Sequence, residues 1–398
     1  MPTLPSAFPT GDAPAALPGG TTPAELLAAL RRRTGRPDLR IEALECSPLP
    51  HRISAPTTRA LTRVRVRARD GEGPTTIRLV AKELQAARHG LPPQMPPAER
   101  ERLDAVIPWR LEADVLASGV AGLMPPGMRA PDVVATTGDD EDRLTLWLAD
   151  VDALDTPWTA EDTVRAATSL GRLAARRAGT PAPLLPGGDF LDGYLRDQLG
   201  AWAVPWLLDD ATWAHPAFLL PEVAGLRAEV CALARDVARI HARLDGLPVL
   251  PAHGDATPMN LLRPRSAPGE LVLIDWGMAT PAPVGYDLLP LVFGRAEAGL
   301  ASPAELPRLL DLALTAYRSG LAAEGLEVPA GVLATAVLAA IALRYPCTTM
   351  PLPALVEPVG DAALARAAER GGFVRAVLDL LAARAPELAH RASGGLLH

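Results

Sequence analysis

The sequence predicts an α+β architecture in two parts, a small antiparallel sheet followed by a larger, mainly helical portion, and three observations carry that reading. A chain of 398 residues is too long for one small core and suggests two lobes of ordinary size. The stretch Leu61 to Ala68 alternates apolar residues with arginine, the period of a strand with one wet face. Beyond Asp150 the apolar residues recur three and four apart, the period of helices.

Taken in order, residues 1–20 are rich in Pro, Ala and Gly and lack the basic start and apolar run of a signal peptide, so they are expected to form a flexible tail. Thr22 to Arg33 reads as a helix, with Thr21 or Thr22 as cap and Pro23 just inside. Strands are expected from Ile41 to Leu84, with a turn at Asp70-Gly71-Glu72-Gly73-Pro74 and a returning strand that ends at Lys82. Residues 86–97 are Pro-rich and loop-like, and 97–118 form a helix interrupted at Pro108. Strands follow near 132–135 and 144–148, which closes a first lobe of residues 21–150. The acidic run 139–142 between them reads as a solvated hairpin tip rather than a metal site, since nothing fixes its carboxylates around one point.

The second lobe, 151–398, carries expected helices at 159–178, 189–208, 221–243, 303–324, 329–344 and 361–387. Helix 221–243 puts Val223, Leu226, Val230, Leu233, Val237 and Ile240 on one face, the stripe of a core-facing helix. The most apolar run, Val332 to Leu343, is too short for a bilayer, which takes about 20 residues. A buried helix explains it better.

The formal charge of −7 argues against general affinity for nucleic acid or for an anionic membrane surface. Cys46, Cys231 and Cys347 are odd in number and lack metal-ligand spacing, as expected of reduced cysteines in a cytoplasmic protein.

Two residues stand out against the composition. Of 39 Lys plus Arg, only Lys82 is lysine, and Asn260 is the only asparagine. A background that replaces both types wherever they can be spared makes the survivors candidate functional residues. Lysine is a compact ammonium on a flexible stem, which a forked guanidinium cannot imitate when a point charge must reach phosphates. Asparagine offers a neutral carbonyl oxygen to a hard cation without adding charge.

Asn260 lies in His253-Gly254-Asp255-Ala-Thr-Pro-Met-Asn260, followed by the apolar run Leu271-Val-Leu-Ile that ends at Asp275-Trp276-Gly277. A carboxylate at a strand end can meet the asparagine carbonyl at one cation, and oxygen ligands are what magnesium prefers. The interval from Asp255 to Asn260 equals that of the kinase catalytic loop, where the aspartate orients the acceptor hydroxyl and the asparagine binds metal. Phosphoryl transfer needs neutralised phosphate charge and in-line positioning more than covalent help from the protein.

With glycine after His253, tryptophan after Asp275, and the segment Pro283-Val-Gly-Tyr-Asp287-Leu-Leu, the chain resembles the aminoglycoside phosphotransferase and choline kinase-like family, over residues 40–345. The resemblance implies a bilobal protein-kinase-like fold that holds ATP and Mg2+ in the cleft between its lobes. It also implies a role for each matching residue. Asp255 is the catalytic residue, and Asn260 with Asp275 holds the metal. Lys82, ending Leu79-Val-Ala-Lys, pairs with the nucleotide phosphates, and Glu112, in preference to Glu101 or Asp114, holds that lysine. Ala149 and Val151 fall at the hinge where adenine meets backbone. Asp287 is a helix-start carboxylate bracing the site, and His253 braces the catalytic loop.

Two positions depart from the family pattern. No glycine occurs from Cys46 to Asp70, so the phosphate-covering turn lacks its usual residue. Either Ser54, Thr57 and Thr58 supply hydroxyl donors there, or they simply form a turn. Thr257 stands where many relatives have histidine, which implies a changed acceptor environment.

The activity expected is transfer of the γ-phosphate of ATP to a hydroxyl of a small molecule, an antibiotic or other specialised metabolite. The alternatives are a tailoring kinase acting on Ser or Thr of a peptide precursor and a catalytically weak nucleotide-binding partner protein. The acceptor is not encoded in any motif, and neither is a protein partner or homodimer.

Overall fold

A computed structural model describes residues 17–51, 53, 55–138, 140–180 and 190–388 of the chain. Ser54, Asp139 and the first sixteen residues of the expected tail lie outside the described residues. The chain divides into two compact units, residues 1–113 with 131–152, and residues 114–130 with 153–398.

The first unit is built on a five-stranded antiparallel sheet. Its strands are β1 (Arg40–Pro48), β2 (Thr58–Asp70), β3 (Gly73–Gln85), β4 (Val133–Thr137) and β5 (Arg143–Ala149), in the order β1-β2-β3-β5-β4. The alternation in β2 does what the sequence predicts. Val64, Val66 and Ala68 are buried, and Arg65, Arg67 and Arg69 reach across to Glu45 and Glu42 of β1. Such exposed pairs contribute little stability, about 0–1 kcal/mol each. The core comes from the other face, where Val64, Val66, Leu79, Ala81 and Trp147 meet Leu26 and Leu30 of helix α1 (Pro23–Thr34).

Helix α1 starts with a capping box in which Thr22 and Glu25 satisfy each other's backbone N–H, with Pro23 in the first turn. Just before it, residues 17–20 depart from the expectation of a tail. Leu17 is buried in the core and Pro18–Gly20 form a 3-10 turn, because an apolar side chain within reach of an open core gains more from burial than its segment loses in freedom. The helix expected over 97–118 is interrupted near Pro108 as foreseen, giving α2 (Pro97–Val106) and α3 (Leu111–Ala117).

The second unit is mainly helical. Its long helices are α4 (Ala160–Arg177), α5 (Leu288–Glu297), α6 (Leu306–Ala323), α7 (Ala330–Arg344) and α8 (Asp361–Arg384). The α4 and α6 backbones touch. A Cβ on Gly171 would lie 2.2 Å from the Tyr317 carbonyl oxygen, and one on Gly320 would lie 2.1 Å from that of Thr168. The apolar run 332–343 is indeed a buried stretch of α7, and among the described residues no helix is long and apolar enough to cross a membrane.

Two expected helices differ in form. Segment 221–243 breaks into Pro221–Ala224, Arg227–Arg235 and Val237–His241, yet Val223, Leu226, Val230, Leu233 and Ile240 are still buried. Val237, the remaining member of the stripe, is only partly buried, so three short helices keep most of it. Segment 190–208 contains a nine-residue π-helix, Leu195–Ala203, a geometry rare enough that an α-helical reading does not anticipate it.

Short strands frame the irregular stretch of this unit. Val249–Ala252 (β6) pairs antiparallel with Thr280–Pro283 (β9), and Leu261–Leu262 (β7) pairs antiparallel with Leu271–Leu273 (β8), which also pairs with Met128–Arg129 in parallel. Strand β9 has the sequence Thr-Pro-Ala-Pro and carries no strand signal, because proline cannot donate to a ladder and survives only at a sheet edge.

Candidate active site

In the first unit, Lys82 sits near the end of β3, opposite Leu61 of β2 and Leu146 of β5. Successive side chains on a strand alternate faces, so Lys82 leaves by the face opposite Leu79 and Ala81. Its Nζ lies 2.5 Å from Oε2 of Glu112, and both residues are buried. A buried ion pair is held by geometry rather than by net gain, because desolvating two charges offsets much of their attraction. Of the nearby carboxylates considered, it is Glu112 that makes the pair.

The segment that leads into β2 is a turn. Thr58 donates its N–H to Ala55 O at 3.2 Å, Gln85 donates its backbone N–H to Thr57 O at 2.9 Å, and the Gln85 side-chain amide donates to Pro56 O at 3.1 Å. Thr57 is therefore in the turn and Thr58 opens β2; Ser54 lies outside the described residues. At the other end of the sheet, Ala149 closes β5 and spends its N–H on Asp132 O, and Val151 follows just beyond. Of the acidic run, Asp140 accepts from the N–H groups of Asp142 and Arg143, and Asp142 pairs with Arg88 and His89. That is a hairpin tip.

In the second unit, strand register assembles the polar residues. Leu261 is opposite Leu273, so Asn260, one residue before β7, meets the chain just after β8, and Ile274 donates its N–H to Asn260 O at 3.0 Å. Asp275 follows one residue further on, near enough that its charge acts on Asp255. Likewise Ala252 is opposite Thr280, which sets the loop His253–Asp255 against Met278. Gly254 is required at that approach. Its φ is +89°, and a Cβ there would lie 2.0 Å from the Met278 carbonyl oxygen.

Asp287, at the start of α5, is buried. Its carboxylate does not cap that helix; it accepts from the backbone N–H of His253 at 3.0 Å and of Gly254 at 2.9 Å. Burial pushes its carboxyl up, and those two hydrogen bonds and the Arg177 charge oppose the push. His253 is fully buried. Its Nε2 donates to Ile274 O at 3.0 Å and its Nδ1 accepts from the N–H of Asp255 at 3.3 Å, the bonding of a neutral ring protonated at Nε2. It braces the loop and has no free nitrogen to act as base.

Asn260 spends its side-chain N–H2 on Asp255, donating to the backbone O at 2.8 Å and to Oδ2 at 2.9 Å. The amide oxygen therefore faces away from Asp255, the orientation a cation ligand needs. Asp275 has φ 64° and ψ 66°, the only left-handed non-glycine residue among the described ones. Aspartate tolerates that region better than most residues, and such outliers cluster at functional sites. The conformation is locked by Trp276, buried, with its indole N–H on Leu273 O at 2.9 Å and its ring against His253 at 4.7 Å.

Asp255 is a second raised carboxylate. Burial first, and then the Asp275 charge, push its carboxyl up to about 6, with the Asn260 hydrogen bond and the Arg344 charge pulling the other way. Thr257 turns its methyl toward Gly294 of α5, so the position that departs from the family pattern is a packing contact to that helix.

Arg177 was not foreseen. It is fully buried at the end of α4, donates to Ala252 O at 3.3 Å and lies 5.3 Å over the Trp276 ring. Its signal in the sequence is an arginine on the apolar stripe of α4, after Leu170, Leu173 and Ala174. Among the described residues no group of three or more His, Cys, Asp or Glu side chains is placed to hold a metal.

An antiparallel sheet with a buried lysine–glutamate pair and a helical unit with this aspartate–asparagine loop are the parts of a protein-kinase-like phosphotransferase. The model of the Phosphotransferase enzyme family matches residues 112–325, more than half of the chain, and the chain belongs to that family. It is an enzyme of the kinase and phosphotransferase type with an alcohol group as acceptor. Among solved structures it is similar to an aminoglycoside phosphotransferase from Alicyclobacillus acidocaldarius, at 14% identity over 89% of this chain and 95% of that one, with a TM-score of 0.50. That likeness is one of fold. Further similar structures are an ethanolamine kinase from Plasmodium vivax (11% identity, 86% and 85% covered, TM-score 0.49) and a microcompartment-associated aminopropanol kinase (15%, 92% and 98%, 0.45). No curated protein matches the chain.

Proposed function

We propose that the enzyme transfers the γ-phosphate of ATP to a hydroxyl of a small molecule, an antibiotic or other specialised metabolite, with Mg2+. The observation that carries this reading is the hydrogen bonding of Asn260. With its N–H2 group committed to Asp255, its carbonyl oxygen is the atom left for a hard cation, and Asp275 supplies a carboxylate from a locked backbone. Bound there, magnesium supplies charge neutralisation on the phosphates.

The other steps belong to the chain itself. Lys82, positioned by Glu112, holds the α and β phosphates. Thr57, Thr58 and Ser54 offer donors in place of the missing glycine turn, and the backbone at Ala149 and Val151 receives the adenine. With the N–H of Ala149 already used within the sheet, Val151 is the residue better suited to donate. Asp255 orients the acceptor oxygen in line and takes its proton late, as the bond to phosphorus forms.

Incubation with ATP, Mg2+ and a panel of aminoglycosides, macrolides, nucleoside antibiotics and Ser/Thr-rich peptides tests this. A mass gain of one phosphate on a small molecule, abolished by Asp255→Asn, is the expected result. Phosphorylation of the peptides alone would replace it with the peptide-tailoring reading. Nucleotide binding without any transfer would leave a partner-protein role.

A further inference from the structure

Near the catalytic loop, the end of α7 presents a cation that the transfer chemistry does not use. Arg344 closes α7, and its guanidinium lies 5.0 Å over the Tyr194 ring and 5.3 Å over the Tyr345 ring. Nη1 donates to the Tyr194 hydroxyl at 3.3 Å, and the same hydroxyl donates to the Arg344 carbonyl at 2.8 Å. The Tyr286 hydroxyl also engages it. Tyr194 itself is set by the start of the π-helix, a rare geometry that recurs at functional sites.

The guanidinium is held in place and shares one long ion pair. The nearest carboxylate is Glu297, at 3.9 Å, beyond hydrogen-bond distance. Both side chains keep about a third of their surface open, 28% for Arg344 and 32% for Glu297. A guanidinium has five donors in a planar fork, and two tyrosine hydroxyls do not exhaust them.

The location follows from α5. Gly294 packs against Thr257, two residues after Asp255, and Glu297 is three residues further along that helix, on the neighbouring part of the same face. The Arg344 charge is felt at Asp255 as well. Asp255, Asp275 and Glu297 would together repel an anionic acceptor. Arg344 is the cation that reverses this locally.

We propose that Arg344, gripped by Tyr194 and Tyr345, binds a carboxylate on the acceptor whose hydroxyl is presented to Asp255. The substrate class is then hydroxyl compounds that carry an acidic group, and Glu297 is the internal competitor for the same guanidinium. The inference rests on the proposed phosphotransfer reading.

The test uses hydroxyl compounds in matched pairs, free carboxylate against methyl ester, with the full chain, ATP and Mg2+. The wild type is expected to favour the carboxylate members. Arg344→Gln is expected to raise KM for the carboxylate member by about 10- to 100-fold, without a comparable rise for its ester, the effect of losing a charged hydrogen bond. Arg344→Lys should recover part of that loss. Glu297→Gln, which frees the guanidinium, should lower KM for the same acids, a gain that misfolding cannot mimic.

Preference for esters in the wild type, or equal loss on both members of each pair in Arg344→Gln, would overturn the proposal. If no compound is phosphorylated, thermal stabilisation of the wild type by each pair in the presence of a non-hydrolysable ATP analogue and Mg2+ decides instead. Equal stabilisation by acid and ester then overturns it. Failure of phosphotransfer itself shows separately, as nucleotide turnover that Asp255→Asn does not change.

Discussion

The Lys82–Glu112 pair and the Asp255–Asp275 loop handle buried charge in opposite ways. On the sheet, a cation and an anion sit 2.5 Å apart and cancel each other within the protein. In the loop, the Asp275 carboxylate adds to burial at Asp255, a neutral amide and a guanidinium charge oppose them, and Asp255 is driven up to about 6. The first arrangement is complete in the free protein. The second leaves Asp255 raised in the free protein, a cost that a cation bound as proposed would remove.

Four experiments break or sharpen this contrast. The largest effect is expected for Asp255→Asn, which removes the proposed proton acceptor and should lower turnover by about 10²–10⁴-fold, read by coupled ATP assay. Lys82→Arg keeps the charge yet should still cost on the order of 10²-fold in turnover, because a fork does not replace a point charge at phosphates. Normal speed in that variant would remove the reasoning from the single lysine. Glu112→Ala leaves Lys82 buried without its partner and should destabilise the fold by about 3–5 kcal/mol in urea unfolding. No loss of stability there would mean the pair is not held as tightly as its distance implies.

The smallest effect is in pH dependence. Between the ordinary carboxyl value of 3.8 and about 6, the unfolded chain has released the Asp255 proton and the folded chain retains it, so stability falls as pH rises through that window. The decline should be on the order of 1–3 kcal/mol and absent from Asp255→Asn. Thermal melting of both proteins at pH 4.5 and 7.5 checks it. Parallel curves would show that Asp255 is not strained, and Mg2+ with nucleotide should flatten the wild-type curve.

How much of this was legible in the sequence differs between the two regions for a physical reason. The sheet announces itself because period-two burial writes itself into Leu61 to Ala68, and Lys82 stands out against an arginine-rich background. Asp255, Asn260 and Asp275 were legible as a spaced motif. What a motif cannot carry is backbone conformation and distant contact. Nothing at position 275 announces φ 64°, the Pro-rich β9 looks like loop, and Asp287 serves two backbone N–H groups 33 and 34 residues earlier rather than its own helix. The break of 221–243 into short turns was hidden because an apolar stripe constrains which side is buried and not whether the helix is continuous.

The solitary ε-amine has a practical consequence. A protease that cleaves only after lysine has one bond to cut in this chain, between residues 82 and 83, inside a strand paired on both sides. Two fragments, of 82 and 316 residues, would then appear only from molecules whose sheet has come apart. The yield of that single cut reads the opening of the first unit without any label, and the same amine is the one side-chain address for an acylating nucleotide analogue.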